Sequence, residues 1–365
     1  MKRILVFLLT IFVFYCSSGQ VKDAVNLLEI DNGITQEQVD LIFEKAKVFP
    51  NDTEISMAFL KNDTVYFYGV KRHNDTLGNY ENSKAIFEIG SITKVFTSTL
   101  LARFVVNNEL SLNDSIQEFF DFDITTEGPI TLEQLSNHTS GLPRLPTNFE
   151  GFINPQNPYK NYDATRLETY LAKKIKLDNR PGTKSEYSNL GAGLLGYILT
   201  KKSKISYEEL LKKYIFTRYS MLNSTTKRQS IKDSLITGLD AYGSKTSNWD
   251  FDVLVGAGGI FSNVADLSKF AQAQFDDTYE ELKLTRQKTV TVNDYMDMGL
   301  GWHLIKAKSG ANYVWHNGGT GGYSSSMALD IENKIGLIIL SNVSAFNSKS
   351  GAIDGLCFGL LKNME

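Results

Sequence analysis

The chain has 365 residues, 42% of them hydrophobic, with 38 basic residues against 41 acidic ones. That is enough apolar material for a full core. The balanced charge, with no basic run beyond short lysine pairs, excludes nucleic acid as a partner. Cys16 and Cys357 cannot make a disulfide framework, and histidines 73, 138, 303 and 316 lack ligand spacing, so no metal and no cofactor is expected.

Lys2-Arg3 followed by the apolar run 4–15 predicts an export signal, because the run is too short to span a bilayer. Small residues Ser17 and Gly19 put cleavage after Gly19, leaving a signal at 1–19 and one domain at 20–365. Cys16 offers an alternative, a lipid-modified cysteine that attaches the chain to a membrane, although bulky Tyr15 speaks against it. Residues 35–48 have helical spacing, with Val39, Ile42, Phe43 and Ala46 on one face. Residues 55–60 and 64–70 alternate as strands around the turn Lys61-Asn62-Asp63. A run apolar all round follows Ser91 to residue 107 and predicts a buried helix. Further helices are predicted at 132–137, 164–174, 190–201, 207–214 and 264–275. Strands return at 299–307, 313–317, 323–330 and 335–341, and an apolar helix at 351–361 closes the chain. Strands at both ends with helices between them predict an α/β fold. It has one antiparallel sheet of at least five strands, drawn from about 30–90 and 285–365 and flanked by N- and C-terminal helices. An inserted, mostly helical subdomain spans about 110–283. The site is expected in the cleft between the two parts.

Ser91-Ile92-Thr93-Lys94 opens the buried helix. Residues three apart share a helix face, so the Ser91 hydroxyl and the Lys94 amine point the same way. A serine needs a base to become a nucleophile, and a poorly hydrated lysine has the depressed pKa that suits one. Ser224-Thr225-Thr226-Lys227 has the same spacing, but its polar surroundings predict a surface loop. Tyr187-Ser188-Asn189 lies between a Pro181-Gly182 turn and a predicted helix, unlike the similar triplets at Tyr80 and Tyr159. His316-Asn317-Gly318-Gly319 sits within strand-like alternation, where glycine lets another backbone or a ligand approach closely.

Ser-x-x-Lys, Tyr-Ser-Asn and His-Asn-Gly, in that order, resemble the penicillin-recognising serine hydrolases. The likeness is greatest to the class C β-lactamase branch with its related D-alanyl-D-alanine carboxypeptidases and esterases. Residues 131–143, Gly256-Ala257-Gly258-Gly259 and Gly299-Leu300-Gly301-Trp302 also resemble family segments. The resemblance implies a β-lactamase/transpeptidase-like fold. It implies Ser91 as the nucleophile, Lys94 and Tyr187 as the base machinery, and an oxyanion hole from the Ser91 and Gly319 N–H groups. Asn189 would orient the lysine and bind a substrate amide, while His316, Asn317 and Gly318 would line the substrate. Class C enzymes usually carry lysine at the position of His316, so the claim on a β-lactam carboxylate is weaker here. His138 and His303 read as structural. The implied protein is an exported, periplasmic monomer that acts on a β-lactam or D-alanyl peptide. Class C-like β-lactamase activity comes first and D-alanyl-D-alanine carboxypeptidase second. A short-chain carboxylesterase and a penicillin-binding sensor without turnover remain as alternatives.

Overall fold

The structure is a computed structural model and describes residues 24–31 and 33–365. The expected signal at 1–19 and Cys16 lie outside the described residues. The first part of the chain runs β1 (Val25–Leu27), α1 (Gln36–Ala46), β2 (Glu54–Lys61), β3 (Thr64–His73), β4 (Thr76–Asn79) and β5 (Phe87–Glu88). The helical part follows as α2 (Thr93–Val106), α3 (Leu132–Ser136), α4 (Ala164–Lys173), α5 (Asn189–Ser203) and α6 (Tyr207–Leu211). Next come β6 (Phe261–Ser262), α7 (Val264–Ala273) and α8 (Glu280–Thr285). The chain ends with β7 (Val290–Asn293), β8 (Met296–Met298), β9 (His303–Lys306), β10 (Asn312–Gly319), β11 (Ser324–Asp330), β12 (Ile335–Ser341) and α9 (Gly351–Lys362).

The sheet has ten strands in the order β1-β4-β3-β2-β12-β11-β10-β9-β8-β7. The two ends of the chain meet at the β2–β12 pair, where Ala58 pairs with Ile338. All its pairs are antiparallel except β1 with β4. Strands β2, β11 and β12 are buried along nearly their whole length, because helices cover both faces. On one face α1 and α9 pack through Val39, Ile42, Leu356 and Leu360. On the other, Phe87, Val95 and Phe96 join the core of the helical part.

Helix α2 is buried all round, as its sequence predicts. Each fully buried Leu, Val or Phe side chain contributes about 1.5–3 kcal/mol, so this helix is a fixed post for the residues at its start. Helix α1 begins at a capping box between Thr35 and Gln38, one of several that sharpen helix entry. Among the described residues no helix is long and apolar enough to cross a membrane. The Ser224 stretch differs from its expected surface position. Ser224 and Thr225 are each 5% exposed, and Ser224 Oγ lies 2.8 Å from Ser262 Oγ and 3.0 Å from Asp266 Oδ2. That loop packs beside β6, which a reading of polarity alone does not reveal.

Candidate active site

Ser91 sits in a 3-10 turn (Gly90–Ile92) immediately before α2. Gly90 has φ +52, and a Cβ there would stand 2.5 Å from Gly319 N. A Cβ on Gly318 would collide with the Ile89 carbonyl. The two glycines therefore permit β10 and the serine turn to touch backbone to backbone. Ser325 Oγ donates to the Ile89 carbonyl at 2.9 Å and fastens the turn to the sheet. Strand β9 pairs with only the first half of β10, Asn312 to Trp315, so the edge beyond it faces the cleft.

Lys94 is 2% exposed. Its Nζ donates to Ser91 Oγ at 2.9 Å and to the Ala257 carbonyl at 2.6 Å. Tyr187 OH donates to the same Ser91 Oγ at 2.5 Å. Burial, reinforced by the Arg144 charge, pushes the Lys94 amine well below the usual lysine range. Burial also pushes the Tyr187 phenol up, against the opposing influence of its hydrogen bond to Ser91 and the Arg144 charge. The neutral form of each group is favoured. A neutral amine within hydrogen-bond reach can take the serine proton, and the phenol can pass one on.

Tyr187-Ser188-Asn189 is pinned from several sides. Ser188 caps α5 by accepting from Gly191 N at 2.9 Å and donates to the Pro143 carbonyl at 2.7 Å. Ser188 N donates to His138 Nδ1 at 3.3 Å, and Asn189 N donates to the Arg144 carbonyl at 3.0 Å. The expected Asn189–Lys94 contact is not what holds the lysine; the Ala257 carbonyl does that. Asn189 Nδ2 donates to Tyr159 OH at 2.9 Å, and its Oδ1 is buried without a partner.

The expectation for His316 needs correction. Side chains alternate along β10, so Trp315 and Asn317 face α9, while His316 faces the other way. His316 is 1% exposed, and its Nδ1 lies 2.6 Å from the Asn317 carbonyl. A carbonyl only accepts, so Nδ1 carries the hydrogen and Nε2 presents a lone pair. Burial, with lesser effects from His303 and Lys94, holds this imidazole well below the usual histidine pKa. In place of a cation the site holds a neutral acceptor whose Nε2 has no partner. Two histidines that read as structural also lie here. The His138 ring is 4.6 Å from Tyr187, and the His303 ring is 5.1 Å from His316. Burial pushes His138 well down and takes His303 down to about 4.

These residues border an open pocket of about 930 Å³. Ser91, Tyr187, Asn189, Asn317, Gly318 and Gly319 line it, whereas buried His316 does not. Much of the rest is aromatic or apolar, including Phe149, Phe152, Tyr159, Trp249, Trp315 and Phe346. Arg144, Tyr159 and Asp354 also line it and were not singled out by the motifs. Asn317 donates through Nδ2 to Asp354 Oδ2 at 2.8 Å, so its amide is engaged by the protein. Among the described residues no cluster could hold a metal ion.

Residues 53–354 match the Beta-lactamase family. The chain belongs to that family. It is 24% identical to the D-alanyl-D-alanine-carboxypeptidase/endopeptidase AmpH of Escherichia coli (strain K12), over 100% of this chain and 98% of that protein. It is 25% identical to Protein flp of Staphylococcus aureus (strain MW2), over 85% of this chain and 64% of that one. The chain therefore spans less than two thirds of that relative's length. Among solved structures, the octameric penicillin-binding protein homologue from Pyrococcus abyssi superposes with a TM-score of 0.73. The identity there is 24%, over 89% of this chain and 75% of that one. The fold is thus that of the Beta-lactamase family, whereas the expected monomer finds no support in an octameric neighbour.

Proposed function

We propose that this chain is an exported serine hydrolase that forms an acyl-enzyme at Ser91 and hydrolyses a small amide or ester. The observation that carries this reading is Ser91 Oγ, 2.9 Å from Lys94 Nζ and 2.5 Å from Tyr187 OH. Neutral Lys94 accepts the serine proton, and Oγ attacks the substrate carbonyl. The Ser91 and Gly319 N–H groups receive the developing oxyanion. Tyr187 gives its proton to the leaving oxygen or nitrogen and regains one from Lys94. Water then attacks the acyl-enzyme by the same relay in reverse. Tyr187 beside Ser91 favours turnover over a sensor that acylates and stops. Export rests on Lys2-Arg3 and the apolar run 4–15.

β-Lactams, D-alanyl peptides and short acyl esters remain the candidate substrates. Likeness to the D-alanyl-D-alanine-carboxypeptidase/endopeptidase of Escherichia coli supports a peptide, and the family supports a β-lactam. One observation favours the ester: a neutral, buried His316 offers no charge to the carboxylate that a β-lactam carries. The test is labelling with a fluorophosphonate, followed by parallel assays of a chromogenic cephalosporin, a D-Ala-D-Ala peptide and a nitrophenyl butyrate. Labelling is expected at Ser91 and the highest kcat/KM with the ester. Labelling that survives Ser91→Ala overturns the nucleophile.

A further inference from the structure

The pocket carries opposite charges on its two sides. Among the described residues that line it, Arg144 is the one lysine or arginine and Asp354 the one aspartate or glutamate. Arg144 belongs to the helical side, its guanidinium 5.0 Å above the Tyr187 ring. Asp354 belongs to the sheet side, in the first turn of α9. Its Oδ2 accepts from Asn317 at 2.8 Å, and its Oδ1 is buried. The carboxyl is raised by burial, with Ser326 and Asn317 opposing. The wall at Asn317 therefore carries a carboxyl group where the family resemblance calls for a cation.

We propose that Asp354 makes the site select substrates that place an ammonium or another hydrogen-bond donor, and not a free carboxylate, against β10 and α9. The inference rests on the acyl-enzyme chemistry proposed at Ser91. A carboxylate lining the pocket attracts a cation, and it repels an anion held within a few ångströms in a half-wet cleft by about tenfold in affinity or rate. Rejection of the wrong charge is as much a source of specificity as attraction of the right one. The substrate class is an amine-bearing ester or peptide-like amide, with its apolar portion on the aromatic wall.

The experiment compares wild type with Asp354→Asn, which keeps the size of the side chain and an acceptor for Asn317. Two substrate series are used at a pH where the carboxyl is ionised. One varies the end of a nitrophenyl acyl chain among ammonium, methyl and carboxylate. The other varies the thiol of a butanoyl thioester among ammonium, hydroxyl and carboxylate. In at least one series, wild-type kcat/KM for the cationic substrate should exceed that for the anionic one by about tenfold or more, and Asp354→Asn should remove about tenfold of that ratio. A ratio unchanged in both series overturns the proposal. So does an equal loss on all three charges, which marks Asp354 as a brace for Asn317. Fluorophosphonate labelling of Ser91 is followed in parallel. Its failure counts against the acyl-enzyme reading, whereas intact labelling with unchanged ratios counts against Asp354 alone. If turnover is absent, calorimetric binding of the same six compounds gives the charge ratio directly.

Discussion

Lys94 and Tyr187 meet at one oxygen. Burial pushes the amine down and the phenol up, and both hydrogen bonds end on Ser91 Oγ. Groups that act as one unit lose most activity on the first deletion. Lys94→Ala and Tyr187→Phe are each expected to slow acylation by about a thousandfold, with the double variant no worse than the poorer single one. Stopped-flow labelling measures this; two losses that multiply independently would mean separate proton routes. His316 leads to a second expectation. An imidazole whose pKa is depressed from 6.5 stays neutral at every pH above that value. His316 therefore adds no pH dependence to the rate ratio of anionic to neutral substrates between 6.5 and about 8. His316→Lys introduces an ammonium, and the ratio should shift toward the anion. A wild-type ratio that tracks a histidine titration near pH 6.5 would restore the charged reading.

The serine turn and the end of β10 act as one element pair, because Gly318 and Gly90 leave no room for a Cβ between them. Gly318→Ala should push β10 from the Ile89 carbonyl and spoil the alignment of the Ser91 and Gly319 N–H groups. Removing one oxyanion donor costs about a hundredfold or more in kcat, and a similar loss is expected here with KM changed much less. Circular dichroism and the melting temperature accompany the kinetics. An active Gly318→Ala enzyme would show that the close approach is not needed. The elements that carry this geometry were legible as patterns: β2, β3, β11 and β12 alternate or run apolar, and α2 is apolar throughout. Strands β1, β4, β7 and β8 were not, because they have three or four residues each and gain their identity from a neighbour. The predicted strand from 299 begins at His303, since Gly301 takes φ +71 in a turn. Helix α6 ends at Leu211 and passes into a π turn, a change in winding that apolar spacing does not encode. Within the site, Ser91, Lys94 and Tyr187 carried motif signals. Asp354 carried none, because its partner Asn317 is 37 residues away and only the packing of α9 brings them together. The partnership of Lys94 with Ala257, 163 residues on, was hidden for the same reason.

At the scale of the whole molecule, the sheet and the helical part meet around buried titratable groups. Glu88, just before the serine turn, is 4% exposed. It accepts from Asn248 Nδ2 at 2.8 Å and from Trp249 N at 3.0 Å. Burial raises its carboxyl from 4.5 to about 7, with Thr320, Asn248 and Trp249 opposing. A carboxyl raised on folding stabilises the protein fully below its unfolded pKa, and that contribution is lost as pH rises through the folded value. The window is therefore 4.5 to about 7, and the loss is on the order of 3 kcal/mol. His138, His303 and His316 act in the opposite sense. Their depressed values favour the fold above 6.5 and weaken it as pH falls below that. Glu88→Gln isolates the first contribution, because glutamine cannot ionise and keeps an oxygen for Asn248 and Trp249. Denaturant midpoints of wild type and Glu88→Gln, taken from about pH 5 to about pH 8, measure it. The variant should be the less stable protein at the acid end, where wild-type Glu88 is protonated. The gap should close or reverse at the alkaline end, where the buried carboxylate strains only the wild type. The histidines are common to both proteins, so their slope cancels in the difference. A gap that stays constant across the range would mean that Glu88 titrates like an ordinary carboxylate and that the junction does not hold a proton there.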